Sequence, residues 1–136
     1  MRQKFIKFFI FFLILFSIYG CATEDQHTKM DSPEEKSKIE MIQGLTKAIE
    51  LDPKYVSAYY NRGIVYGKQG KFPQAIQDNT KAIELEPKHV NAYNNRGVAY
   101  DNQGNYTQAI HDYNKAIELD PKYVNAYHNR GLVCEK

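Results

Sequence analysis

The fold is decided by residues 56–89, VSAYYNRGIVYGKQGKFPQAIQDNTKAIELEPKH, followed directly by residues 90–123, VNAYNNRGVAYDNQGNYTQAIHDYNKAIELDPKY. The two segments are identical at about 20 of their 34 positions. The same step of 34 residues relates Pro53, Pro87 and Pro121. Self-similarity at this period predicts a stack of helical pairs in which each pair buries its apolar face against its neighbours.

The spacing inside each segment predicts two helices joined by a short turn. Tyr93 and Gly97 lie on one face of a first helix, because they are four residues apart. Ala109, Tyr113 and Ala116 share one face of a second helix in the same way. The small residues allow the two backbones to approach closely, and the aromatic rings fill the space around the crossing. Glycines 70 and 104 stand where the first helices must end.

The pattern resembles the tetratricopeptide repeat, whose aromatic, Gly, Ala and Pro positions are all present in the second segment: Tyr93, Gly97, Tyr100, Ala109, Tyr113, Ala116 and Pro121. The first segment departs from it only at Asn79, where an aromatic residue is expected. The resemblance implies an all-α, right-handed solenoid of helix-turn-helix repeats. We expect an array over 33–136, made of a capping helix 33–52, full repeats 56–89 and 90–123, and a partial repeat 124–136.

The two ends of the array carry their own signals. Ser32, Pro33 and Glu35 form a capping box, with Ser as N-cap and Pro in the first turn. The last helix lacks a partner helix, which predicts an uncovered apolar face with Tyr127 and Leu132. We expect this face to self-associate or to receive a partner helix, and Cys134 to be a small core residue.

Residues 1–20 read as an export signal rather than as part of the fold. Three basic residues precede an apolar run, Phe8–Ile18, that is shorter than the ~20 residues a membrane-spanning helix needs. Ile18-Tyr19-Gly20-Cys21 resembles the lipobox of bacterial lipoproteins, which implies an acylated (palmitate-bearing) Cys21. Residues 21–32 are then a flexible tether. This predicts an envelope lipoprotein, on the periplasmic side of the outer membrane in a two-membrane organism. The alternative is a secreted or signal-anchored protein.

Charge and motifs exclude several other functions. The formal net charge is +2, and three of the basic residues lie in the leader, so the remainder is nearly neutral and lacks the basic surface of a nucleic-acid binder. The four histidines do not show metal-ligand spacing, and there is no phosphate-binding glycine loop. We therefore expect no catalytic residue, no metal and no cofactor.

Arg62, Arg96 and Arg130 recur once per repeat beside the packing glycine. They could form a ladder that binds acidic ligands. The interpretation we favour is structural, with ion pairs to Asp78 and Asp112 on the partner helices.

The resemblance also implies which residues line the concave groove of the array. They are Ser57, Tyr60, Ile64 and Lys68; Asn91, Asn94, Val98, Asp101 and Asn102; and Asn125, His128 and Leu132. Amides over an apolar floor suit a peptide or helix of a partner protein. The family's carboxylate-clamp residues are matched only at Asn95, so we do not expect a carboxylate-clamp co-chaperone. The function predicted is a non-catalytic adaptor or scaffold. The alternative is a truncated or degenerate fragment of a longer repeat protein, with little binding of its own.

Overall fold

The computed structural model describes residues 32–135, and it contains six α-helices and no strand over this range. The predicted signal peptide 1–20, Cys21 and nearly all of the tether lie outside the described residues. The helices are α1 (Pro33–Leu51), α2 (Val56–Lys68), α3 (Phe72–Leu85), α4 (Val90–Asn102), α5 (Tyr106–Leu119) and α6 (Val124–Cys134). The predicted all-α fold of helical repeats is confirmed. No helix within 32–135 combines the length and apolar character required for a membrane span.

The chain divides into two compact units between Glu40 and Met41, within α1. In the first unit, Ser32 begins the helix as predicted, because its Oγ accepts a hydrogen bond from the Glu35 backbone N–H at 3.2 Å. The Lys38 ammonium lies 2.8 Å from the Glu34 carboxylate one turn earlier. The first contact satisfies a backbone N–H of the first helical turn, and the second balances the charge of the Glu34 carboxylate.

In the second unit, the turns between paired helices are set by glycines with positive φ. Gly70 has φ +71° and Gly104 has φ +75°, a conformation that costs other residues energy. The Lys71 N–H then donates to the Tyr66 carbonyl at 2.9 Å, which closes a Schellman turn at the end of α2. The same arrangement ends α4. Each turn folds the chain back and packs α2 against α3 and α4 against α5.

The core is built from small residues at the helix crossings and rings between them. Ala109 and Ala116 are fully buried on α5, and Tyr113 between them is 1% exposed. Gly97 on α4 faces the Tyr113 ring so closely that an added Cβ would lie 2.6 Å from Cε1. Helices α4 and α5 therefore depend on a glycine opposite the ring.

In each of the two full repeats, one arginine ties three helices together. Arg96 on α4 donates from Nε and Nη2 to both oxygens of Asp112 on α5, at 2.7 and 2.8 Å. Its Nη1 donates to Thr80 Oγ1 on α3, the second helix of the preceding repeat, at 3.0 Å. Arg62 makes the equivalent bonds to Asp78 and Thr46. The predicted ion pairs are confirmed, and guanidinium groups engaged in this way do not form an exposed ladder for acidic ligands.

The third arginine has a different environment. Arg130 on α6 donates from Nη1 to Asn114 Oδ1 at 2.6 Å, and it forms no ion pair with a carboxylate within residues 32–135. Val133 on α6 is buried, whereas Tyr127 and Leu132 are 43% and 48% exposed. The expectation that Cys134 is a core residue is wrong: its side chain is exposed, because none of the described helices covers that side of α6.

Candidate functional site

The residues predicted to line a groove belong to α2, α4 and α6, the first helices of the successive repeats. Half-buried ones are Tyr60, Ile64, Val98 and Asp101; exposed ones are Ser57, Lys68, Asn91, Asn102, Asn125, His128 and Leu132; and Asn94 is buried. A ligand bound along α2, α4 and α6 could therefore contact some of the predicted residues but not all of them.

A cleft of about 330 Å³ lies between α2, α3 and α4. Its lining residues are Gly63, Ile64, Gly67, Lys68, Phe72, Ala75, Asn79, Asn95, Val98, Ala99 and Asn102. Four of the predicted residues meet there: Ile64, Lys68, Val98 and Asn102. The other eight do not line this cleft.

Among those eight, Asn94 and Tyr60 make contacts inside the protein that join neighbouring helices. Asn94 is 6% exposed, and its Oδ1 accepts a hydrogen bond from Asn129 Nδ2 at 3.1 Å, which joins α4 to α6. The Tyr60 ring lies 4.8 Å from the ring of His89, centroid to centroid. Burial raises the pKa of Tyr60, although a hydrogen bond from the Asn95 side chain opposes the shift. These side chains hold neighbouring repeats in register.

Asn79 is one of the seven lining residues of the cleft that were not among the predicted groove residues. It is 1% exposed, its Nδ2 donates to the Ala75 carbonyl at 2.8 Å, and its Oδ1 has no hydrogen-bond partner within the described residues. A buried acceptor without a partner costs free energy. The signal was present in the sequence as the one departure from the repeat pattern, but that departure did not reveal a cavity.

The cleft offers an apolar wall with polar groups around it. Ile64, Phe72 and Val98 supply the apolar surface, and the exposed Lys68 supplies one positive charge. Asn102 Nδ2 already donates to the Val98 carbonyl at 2.8 Å, which leaves its amide oxygen as an acceptor. Such a surface can bury an apolar side chain and hydrogen-bond a polypeptide backbone. In residues 32–135 no cluster of three or more His, Cys, Asp or Glu side chains could hold a metal ion.

Comparison with known proteins gives the same architecture. The family model described as tetratricopeptide repeat matches residues 56–89 and 90–123. Among solved structures, the chain is similar to the Arabidopsis OM64 TPR domain, with 29% identity, a TM-score of 0.71, and coverage of 75% of this chain and 84% of that one.

Two further structures extend the comparison. The second TPR domain of human RPAP3, solved in complex with the HSP70 peptide SGPTIEEVD, shares 25% identity and a TM-score of 0.72 over 83% of this chain and 92% of that one. The MamA protein shares 32% identity and a TM-score of 0.69 over 72% of this chain and 54% of that one. No curated protein matches the chain in sequence.

Proposed function

Because the chain belongs to the tetratricopeptide repeat family, we propose that it is a non-catalytic adaptor that binds a peptide or helix of another protein in the cleft between α2 and α4. The observation that carries the proposal is the cleft, where an apolar wall from Ile64, Phe72 and Val98 lies beside side-chain amides. The RPAP3 domain, a protein of similar fold, holds a peptide, which supports binding as the class of function.

The occupant differs from the HSP70 peptide that RPAP3 holds. The resemblance to carboxylate-clamp repeats places lysines where this chain has Tyr60 and Asn125, and an Asn and an Arg where it has Ile64 and Asn129. The one matching residue, Asn95, hydrogen-bonds the Tyr60 side chain. A cleft whose one charged lining residue is the exposed Lys68 lacks the set of positive charges of a clamp, which favours an internal apolar segment over a C-terminal carboxylate.

Photo-crosslinking from inside the cleft tests the binding function. p-Benzoyl-phenylalanine in place of Lys68 lies on the cleft rim. The same group in place of the exposed Gln77 lies on α3 at a separate groove that also contains Tyr59 and shares no residue with the cleft. We expect discrete adducts in cells from position 68 and none of the same mass from position 77. Identical adducts from both positions would contradict the cleft as the binding surface. The lack of any adduct would favour the alternative of a fragment with little binding of its own.

The proposal includes a lipid anchor at Cys21 and a position in the bacterial envelope, on the periplasmic side of the outer membrane in a two-membrane organism. Its support is the basic and apolar leader followed by Ile18-Tyr19-Gly20-Cys21. Each buried methylene of an acyl chain contributes about 0.8 kcal/mol, so several chains hold a small domain at a membrane stably.

Metabolic labelling with a palmitate analogue tests the anchor. The sequence has two cysteines, so Cys134→Ser is a matched control for Cys21→Ser. We expect the wild-type chain and Cys134→Ser to carry label and Cys21→Ser to lose it. Label that persists in Cys21→Ser, or wild-type protein without label, would show that Cys21 is not the acylated residue.

A further inference from the structure

The cleft lies where the first repeat has Asn79 and the second repeat has the ring of Tyr113. In the second repeat, Tyr113 lies against Gly97. The Asp101 carboxylate is near enough to the Tyr113 hydroxyl to help raise its pKa, after burial, the larger cause. The ring therefore runs along α4 from Gly97 towards Asp101.

The residues 34 positions earlier fill only the part of that space beside Gly63, where an added Cβ would lie 2.7 Å from Asn79 Nδ2. They are Asn79, Gly63 and Gly67, and all three line the cleft. An added Cβ on Gly67 would meet no atom within 4 Å. The short Asn79 side chain bonds back to the Ala75 carbonyl of its own helix and extends no ring along α2.

The size and polarity of the space restrict what can enter it. A cavity of about 150 Å³ holds a benzene molecule, so the 330 Å³ of this cleft accommodates a larger substituted ring. Asn79 Oδ1 is a buried acceptor without a partner in the described residues. An aliphatic side chain would leave it unpaired, and a cationic side chain would be desolvated beside Lys68.

We propose that the cleft receives an aromatic side chain with a hydrogen-bond donor, tyrosine or tryptophan, which takes the place that Tyr113 occupies in the second repeat. This inference rests on the proposed binding function and names the anchor residue of the bound segment. The ring packs along Gly67 and beside the Asn79 side chain, which covers Gly63, and a small rotation of the Asn79 amide brings Oδ1 into reach of the ring's O–H or N–H.

The probe is p-cresol, the side chain of tyrosine, added to the isotope-labelled full chain in detergent and followed by amide chemical shifts. We expect saturable shifts at Gly63, Gly67 and Val98. The matched probe 4-methylanisole has the same ring but no donor, so it should bind at least tenfold more weakly. Equal affinity for the two probes would contradict the proposed hydrogen bond to Asn79 Oδ1. The lack of a saturable shift with p-cresol would contradict the binding of an aromatic side chain in the cleft.

Asn79→Tyr fills the cleft with the ring of the second repeat and should weaken p-cresol binding at least tenfold. Asn61→Tyr adds the same ring at an exposed position of α2 and should bind p-cresol like the wild-type chain. Every sample contains the same detergent, so the free probe concentration is equal across the variants. Should Asn79→Tyr fail to fold, Gly67→Ala narrows the same cleft without a steric clash. Unchanged affinity in the folded variant would overturn the proposal.

Failure of this inference is distinguishable from failure of the adaptor function. Adducts from position 68 without p-cresol binding would leave the adaptor function in place and remove the aromatic anchor. The lack of adducts from position 68 would remove the function itself, whatever p-cresol does.

Discussion

Arg96 and Asp112 form a two-pronged ion pair across α4 and α5, with Nε to Oδ2 at 2.7 Å and Nη2 to Oδ1 at 2.8 Å. The Asp112 side chain is 1% exposed and the Arg96 side chain 15%. A carboxylate this deeply buried depends on its partner, because an unpaired charge in the interior is strongly unfavourable. The Thr80 bond of the same guanidinium extends the link to the preceding repeat.

We therefore predict that Arg96→Ala lowers the free energy of unfolding by about 3 kcal/mol, since it leaves Asp112 buried without its partner. Arg130→Ala is the matched control at the same repeat position. It should cost less than about 1 kcal/mol, because the contacts of Arg130 within residues 32–135 are with two exposed side chains, a hydrogen bond to Asn114 and a cation–π contact with Tyr127. Urea unfolding followed by circular dichroism measures both. Equal losses would show that the buried pair contributes no more than the surface contact.

A second pair of variants tests the packing glycine. Gly97→Ala should lower the free energy of unfolding by roughly 1–3 kcal/mol, because its Cβ would lie 2.6 Å from Tyr113 Cε1. At Gly131, the same repeat position in α6, an added Cβ meets nothing within 4 Å. Gly131→Ala should therefore raise the free energy of unfolding by up to about 1 kcal/mol. Changes of the same sign in the two variants would contradict this view of the crossing.

The buried hydroxyl of Tyr113 predicts a loss of stability at alkaline pH. Burial, and then the Asp101 and Asp112 carboxylates, raise the pKa of Tyr113 above the ordinary value of 10. Above pH 10 the unfolded chain therefore releases a proton that the folded chain keeps. From this group alone the free energy of unfolding should fall by about 1.4 kcal/mol per pH unit.

Below pH 10 both states keep the proton, and Tyr113 causes no pH dependence. Tyr113→Phe removes the ionisable group and keeps the ring, so its stability should fall less steeply above pH 10 than that of the wild-type chain. Denaturant unfolding at a series of pH values provides the comparison. Parallel curves for the two proteins would show that Tyr113 does not control the alkaline limb.

Asn79→Tyr should stabilise the fold while it closes the cleft. The substitution fills an open space and removes a buried acceptor without a partner, and cavity filling commonly adds about 1 kcal/mol. Asn61→Tyr, at an exposed position, should change the free energy of unfolding by less than about 0.5 kcal/mol. Thermal and urea unfolding measure both. A destabilised Asn79→Tyr would mean that the first repeat has packed around Asn79 in a way that excludes the ring.

The sequence alone predicts the features that repeat. Its period of 34 residues gives the helical pairs, and the recurrence of Arg62 and Arg96 beside a glycine points to their ion pairs with Asp78 and Asp112. The hydrogen bond from each arginine to a threonine was not predicted. The Thr46 and Thr80 hydroxyls are uncharged, so the sequence does not indicate that they pair with an arginine. Only the packing of the helices brings them within 3.0 Å of the arginine Nη1 atoms.

The site was predicted less completely for the same reason. The residue pattern placed Asn94 among the groove-lining residues, whereas its amide is paired with Asn129 and buried. The sequence shows that Asn79 replaces an aromatic residue of the repeat pattern. When such a ring is missing, either the neighbouring side chains move in to fill its place or an open space remains. Only the packing of α2 against α4 decides between these outcomes, so the cleft could not be predicted from the amino-acid sequence.

The spacing of the arginine contacts determines which insertions and deletions in the gene keep the bonded partners together. Thr46, Arg62 and Asp78 are each 16 residues apart, as are Thr80, Arg96 and Asp112. Removing residues 56–89 by replication slippage would bring Arg96 to the distance from Thr46 that Arg62 now has, and duplicating them would copy the whole set. A whole-unit gain or loss thus conserves every charge pairing, whereas an indel of any other length between Thr46 and Asp78 separates bonded partners.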